Sequence, residues 1–261
     1  MGIFRGTAWY YARYRPGYPP ELIAELVRAA GLTRASRVLD LGCGTGQVAG
    51  PLAAHVGEVV AVDTEPDMLA ELPDGITAVH ARAEDVDGTY DVVTIGRALH
   101  WFGGPAFLEH LATMTPQVAL LGDRIRDSEA LSIVLETAQE FAGARPEPPG
   151  ARIPYCEALA ASGFSDVTEL SVVEERTWTQ DALVGWAYST SFASAERLGG
   201  RRDEFECALR ARLEPEYVER VPVAALLGRR GDRFQAAAEP GELAALGLEH
   251  LSVELDQHAA P

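Results

Sequence analysis

Two aspartates bracket a glycine-rich run: Asp40 stands just before Gly42-Cys43-Gly44-Thr45-Gly46-Gln47, and Asp63 ends a valine-rich stretch about twenty residues later. Glycines at such a point let the backbone turn sharply and admit a ligand without interference from a Cβ, and a following helix offers unpaired N–H groups to an anion. The combination implies a nucleoside-containing cofactor. The dinucleotide fingerprint asks for glycine at its sixth position, where this chain has Gln47. Asp40 would also repel a pyrophosphate, whereas it suits a cation. S-adenosylmethionine presents an ammonium, a carboxylate, a sulfonium and a ribose diol. Asp40 can accept from the ammonium, the glycine-loop amides can donate to the carboxylate, and Asp63 can accept from both ribose hydroxyls.

The elements that must hold these residues follow from the hydrophobic pattern. After an aromatic segment over residues 9–20 comes a helix over 21–30, opened by proline and closed by Gly31. A strand at 37–41 leads into the glycine turn, a helix over 47–54 and a strand at 59–63. The alternation continues as helix 65–72, strand 76–80, strand 91–95, helix 105–114 and strand 117–121. This is an α/β, doubly wound arrangement around a mostly parallel sheet with helices on both faces, whose ligand crevice lies beyond the carboxyl ends of the strands. Past residue 127 the reading is helix 128–142, a Pro/Gly-rich loop over 143–150, helix 155–162, a strand over 166–176, two or three helices within 179–213 and a strand over 221–227. An inserted helical cap describes that stretch. The division is a lid segment and first helix (1–35), a cofactor-binding core (36–127), remaining strands with the cap (128–232), and a helix-strand extension (233–261) that would sit at a sheet edge or in a homodimer contact.

At Val38 to Gly46 and Asp63 the sequence resembles the class I S-adenosylmethionine-dependent methyltransferases. More narrowly, Tyr11 to Pro19, Ala83-Glu84-Asp85 and Gly96-Arg97-Ala98-Leu99-His100-Trp101 resemble their small-molecule branch, which includes trans-aconitate-type methyltransferases. The resemblance covers residues 5–125 well and implies a Rossmann-like sheet of seven strands. It implies cofactor contacts from Asp40, Gly42, Gly44, Gly46, Gln47, Asp63, Thr64, Met68, Ala83, Glu84 and Arg97, with Tyr11, Tyr14 and Arg15 as a lid. Arg82 stands where many relatives carry an acidic residue. Trp9, His100, Trp101 and Trp186 are the expected acceptor-side residues. His100 reads either as a general base or as a neutral histidine satisfied by backbone, and Trp101 and Phe102 as an acceptor wall or as core.

Composition narrows the alternatives. Of the 261 residues 47% are hydrophobic and 23% charged, the usage of a folded globular chain. The formal charge of −17 opposes a nucleic-acid partner. Every basic residue is arginine, which points to a GC-rich bacterial genome. With no run of about 18 apolar residues and no signal-like start, a cytoplasmic protein without a membrane partner is expected. Cys43, Cys156 and Cys207 have no metal-ligand or redox spacing, so no metal is expected, and Cys43 reads as a small side chain packed under the loop. Three rival readings share the sheet: an NAD-dependent oxidoreductase, a macromolecular methyltransferase, and a cofactor-binding, cyclase-like protein that transfers no methyl group.

Overall fold

The computed structural model of the protein describes residues 4–102, 105–123, 128–143 and 154–231. The strands are β1 (Arg37–Leu41), β2 (Glu58–Asp63), β3 (Thr77–His80), β4 (Val92–Gly96), β5 (Gln117–Asp123), β6 (Asp166–Thr179) and β7 (Glu216–Arg229). The helices are α1 (Ala8–Tyr14), α2 (Pro20–Ala29), α3 (Ala49–Ala53), α4 (Pro66–Leu69), α5 (Pro105–Leu111), α6 (Glu129–Ala142), α7 (Tyr155–Ala160), α8 (Gln180–Tyr188), α9 (Ala195–Leu198) and α10 (Arg202–Arg212).

The strands form one seven-stranded Rossmann-like sheet in the order β3-β2-β1-β4-β5-β7-β6. The first five run parallel, and β7 lies antiparallel between β5 and β6. The Val/Leu/Ile runs of β1, β2, β4 and β5 are buried on both faces, as a sheet wrapped by helices requires. In β1, Val38 faces the cluster built with Leu22, Ile23 and Leu26 of α2, whereas Leu39 and Leu41 face Phe107, Leu108 and Leu111 of α5. From β1 the chain builds outward through β2 and β3, then crosses back to β4 and β5 on the other side. A crevice therefore opens past the carboxyl ends of β1 and β4.

The cap grows from a strand pair that outruns the sheet. β6 and β7 stay in register from Asp166 opposite Arg229 to Thr179 opposite Glu216, but β5 accompanies β7 only from Val223 to Arg229. Residues 173–179 and 216–222 thus leave the sheet as a two-stranded ribbon carrying α8 to α10. These helices and α6 share a separate apolar core around Val134, Leu183, Trp186, Phe205 and Leu209. Ser128 and Thr179 cap α6 and α8 by accepting from the Leu131 and Ala182 amides. Toward the outer end of the ribbon the Trp178 indole donates to Glu219 at 3.0 Å. Among the described residues no helix is long and apolar enough to cross a membrane.

Several elements differ from the sequence reading. Part of the aromatic segment, Ala8–Tyr14, is helical, because the cap supplies a surface for its rings. The helices expected over 47–54 and 65–72 shorten to Ala49–Ala53 and Pro66–Leu69, since the glycine turn runs on to Val48 and Pro73 follows closely. β6 and β7 run longer than their apolar stretches, because in the ribbon only one face is covered. The expected helix-strand extension, 233–261, lies outside the described residues.

Candidate functional site

The turn after β1 depends on backbone that ordinary residues avoid. Gly42 (φ +63°) and Gly44 (φ +54°) are left-handed. A Cβ on Gly42 would stand 2.7 Å from the Ala98 Cβ, and one on Gly44 would stand 3.3 Å from the Tyr11 ring. The loop is therefore closed from behind by the turn after β4 and from in front by α1.

Asp63 ends β2 beside this loop. Its Oδ2 accepts the Gly44 amide at 2.9 Å, and its Oδ1 accepts the Glu65 amide at 2.9 Å. Each oxygen keeps an unused acceptor direction, and the residue lines a cavity of about 390 Å³. One side of that cavity is formed by Val62, Thr64, Met68, Ala83 and Glu84, the other by Gly96, Arg97, Ala98, Trp101 and Phe102, and Phe4 and Tyr11 close the front.

Asp40 lies deeper, at 1% exposure. Its carboxylate accepts from the Thr94 hydroxyl at 2.7 Å and from the Ala49 amide at 3.2 Å. Burial pushes its pKa up to about 7, and those two hydrogen bonds restrain the rise. It faces a narrow recess shared with Tyr11, Tyr18, Gln47 and Arg97.

Arg97 holds the turn after β4 with a left-handed backbone (φ +53°). Its guanidinium grips Asp123 through Nε at 3.2 Å and Nη2 at 3.0 Å, and Nη1 donates to the Pro16 carbonyl at 2.9 Å. Arg176 donates to the same aspartate at 3.1 Å. Burial alone would raise the Asp123 carboxyl, but Arg97 and then Arg176 outweigh it and hold it below the ordinary range. This buried cluster ties β4, β5, the N-terminal segment and the ribbon together.

The donor set fits S-adenosylmethionine. Asp63 has acceptor directions left for a ribose diol, Val62 and the buried Met68 and Ala83 give an apolar slot for adenine, and the glycines leave backbone space that side chains would fill. The cavity volume falls within the usual range for small-molecule sites. Residues 38–117 match the family model described as a methyltransferase domain. Over those residues the chain is similar to methyltransferase domains. An uncharacterized methyltransferase of Mycobacterium tuberculosis is 38% identical over 147 residues, which is 54% of each chain. Trans-aconitate 2-methyltransferase of the same species is 42% identical over 94 residues, 34% of each chain. A solved structure from Anaeromyxobacter dehalogenans, described as a candidate type II methyltransferase, aligns at TM-score 0.51 and 25% identity, covering 83% of this chain and 98% of that one. The chain spans about half the length of the curated relatives it matches.

The fold brings Tyr11, Gly42, Gly44, Asp63, Thr64, Met68, Ala83, Glu84, Arg97 and Trp101 to one cavity, with Asp40 and Gln47 in the adjoining recess. Gly46 instead turns against Leu72 and Pro73. Arg97 lines the cavity, yet its guanidinium is turned to Asp123 and not toward a ligand. Glu84 pairs with Arg82 at 3.5 Å. His100 is not among the cavity-lining residues, and its ring lies against Trp101 at 4.7 Å. Trp9 is 49% exposed beneath the Arg13 guanidinium, whereas Trp186 is buried in the cap. Tyr14 and Arg15 face the cap also: the Tyr14 ring covers Gly185, and Arg15 Nε donates to the Ser189 hydroxyl at 2.9 Å. Around Cys43, burial and then Asp40 raise the thiol pKa, which leaves it protonated. Sequence reasoning missed Phe4, Thr94, Asp123 and Arg176. Asp123 had a signal, an acidic residue ending a parallel strand as Asp63 does; Arg176 had none, since its partner is 53 residues away.

Proposed function

We propose that this protein transfers a methyl group from S-adenosylmethionine to a small-molecule acceptor, a secondary metabolite or a small organic acid, leaving S-adenosylhomocysteine. The observation that carries this reading is Asp63: it is pinned by two backbone amides at the cavity wall with acceptor capacity to spare. When bound, the cofactor supplies an electrophilic methyl carbon on a sulfonium. Asp63 then holds the sugar, Asp40 faces the ammonium, and Trp101 and Phe102 exclude water from the side where an acceptor approaches. Holding the acceptor in line with the methyl carbon supplies most of the rate, worth about 7–11 kcal/mol in favourable cases.

Arg15, on the cap side of the cavity-lining Tyr11, is the cation that would draw an acidic acceptor. Its guanidinium lies between the rings of Tyr11 and Trp186, at 5.1 and 5.0 Å, and among the described residues no carboxylate pairs with it. A carboxylate acceptor needs no general base, so His100 serves in this reading to support Trp101. The name of the trans-aconitate relative agrees with such a substrate, and a cytoplasmic setting without nucleic-acid partners agrees with the acidic composition.

The test is calorimetric titration with S-adenosylhomocysteine, followed by labelled methyl transfer from S-adenosylmethionine to a panel of carboxylic acids, phenols and amines. Wild type should bind, and Asp63→Asn should bind at least tenfold more weakly, the loss of one charge-assisted hydrogen bond of about 1.5–3 kcal/mol. Wild type that gives no binding heat, or an Asp63→Asn variant that binds as tightly, refutes the cofactor assignment. Binding without transfer to any member of the panel refutes the small-molecule acceptor.

A further inference from the structure

Helix α1 meets two different parts of the molecule. On one side Tyr11 lines the cofactor cavity and stands against Gly44, whose amide is held by Asp63. On the other side the same short helix is attached to the cap. The Tyr10 ring lies 5.1 Å from that of Tyr188, and its hydroxyl is hydrogen-bonded to Arg202. The Tyr14 ring lies directly on Gly185 of α8, so close that a Cβ there would overlap the ring carbons.

A helix of seven residues has no stability of its own in water. Thr7, at its N-cap, gives no side-chain cap. The helix is therefore placed by what it packs against, and that is chiefly α8. Glycine inside a helix costs about 0.5–1 kcal/mol relative to alanine, so its presence at 185 calls for a reason. The reason on view is the ring it admits.

We propose that Gly185 and Tyr14 are positioning residues for cofactor binding: the notch at Gly185 seats the Tyr14 ring, which sets α1 at the depth where Tyr11 closes the cavity over Gly44. The inference rests on the reading of that cavity as an S-adenosylmethionine site and adds a control point in the cap, among residues that line no part of it. A methyl group in the notch pushes the Tyr14 ring outward, α1 moves with it, and Tyr11 lifts from the glycine loop.

The experiment compares S-adenosylhomocysteine affinity by calorimetry across the full-length wild type, Gly185→Ala, Tyr14→Ala, Tyr14→Phe, the Gly185→Ala/Tyr14→Ala double variant and Leu209→Ala, with Tm measured for each. Gly185→Ala should bind at least tenfold more weakly than wild type. Tyr14→Phe keeps the ring and should match wild type. The double variant should bind no more weakly than Tyr14→Ala alone, because the clash vanishes with the ring. Leu209→Ala opens a cavity in the cap core away from α1 and should lower Tm while leaving affinity within twofold. Should Gly185→Ala not fold, Tyr14→Ala carries the test, with an expected loss of at least fivefold. The proposal fails if a folded Gly185→Ala binds within twofold of wild type, if the losses at the two positions add in the double variant, or if Leu209→Ala loses as much affinity as Gly185→Ala. Wild type that does not bind at all overturns the cofactor reading itself and this inference with it.

Discussion

Replacing Asp40 by asparagine separates the charge of this residue from its hydrogen bonds. The asparagine oxygen can still accept from the Ala49 amide, and its amide can donate to the Thr94 hydroxyl. What disappears is a titration that burial shifts from the ordinary 3.8 to about 7. At about 1.4 kcal/mol for each pH decade, an ionised Asp40 costs the fold roughly 4 kcal/mol relative to the unfolded chain. Because the folded pKa is the higher one, this contribution to stability is fully present below the unfolded pKa and is lost as pH rises toward 7. Integrating the titration, wild type should lose roughly 2–3 kcal/mol between pH 5 and pH 8 through this group alone. The stability difference between Asp40→Asn and wild type, followed by chemical denaturation across that range, should therefore shift by the same amount in favour of the variant, about 5–10 °C in Tm for a chain of this size. Binding should show the counterpart. An ammonium placed near Asp40 favours the carboxylate, so S-adenosylhomocysteine titrated near neutral pH should release a proton from wild type, read from heats in buffers of different ionisation enthalpy, and release none from Asp40→Asn. A variant-to-wild-type difference constant with pH to within about 0.5 kcal/mol would refute the argument that burial governs this aspartate.

Gly44→Ala places a side chain at φ +54° and against Tyr11, so it should cost about 1–2 kcal/mol of stability and weaken S-adenosylhomocysteine binding, both measurable by calorimetry. Asp123→Asn leaves Arg97 and Arg176 buried without their shared charge, and a loss of about 3–5 kcal/mol in denaturant unfolding is expected. In wild type the Asp123 carboxyl is held below its ordinary range, so the stability it confers is present at neutral pH and falls away on acidification; unfolding midpoints measured down the acid limb should show that fall in wild type and not in the variant. His100→Ala should leave the pH profile of kcat unchanged for a carboxylate acceptor, and a basic limb lost with the imidazole would restore His100 as a general base.

The residues of the glycine turn and Asp63 were legible in the sequence because their chemistry is local. A left-handed backbone selects glycine within a few positions, and an acidic residue at a strand end is marked by the apolar run before it. The alternation of strands and helices was equally open to reading, since burial on both faces writes continuous apolar runs into β1, β2 and β4. The ribbon and α1 were harder. β6 and β7 extend beyond their apolar stretches because pairing with each other, and not propensity, carries them to Thr179 and Glu216, and α1 is a helix because α8 receives its rings.

The sequence by itself determined which residues stand at the turn after β1 and at the end of β2, because the requirements there act within one turn and one strand end. Only the tertiary structure decided where Arg97, Arg15, Tyr14 and Trp186 point, since each is oriented by a partner far away in the chain: Asp123, Ser189, Gly185 and again Arg15. A guanidinium or an aromatic ring satisfies its charge or its surface with whatever the fold brings near. Spacing along the chain carries no record of that choice.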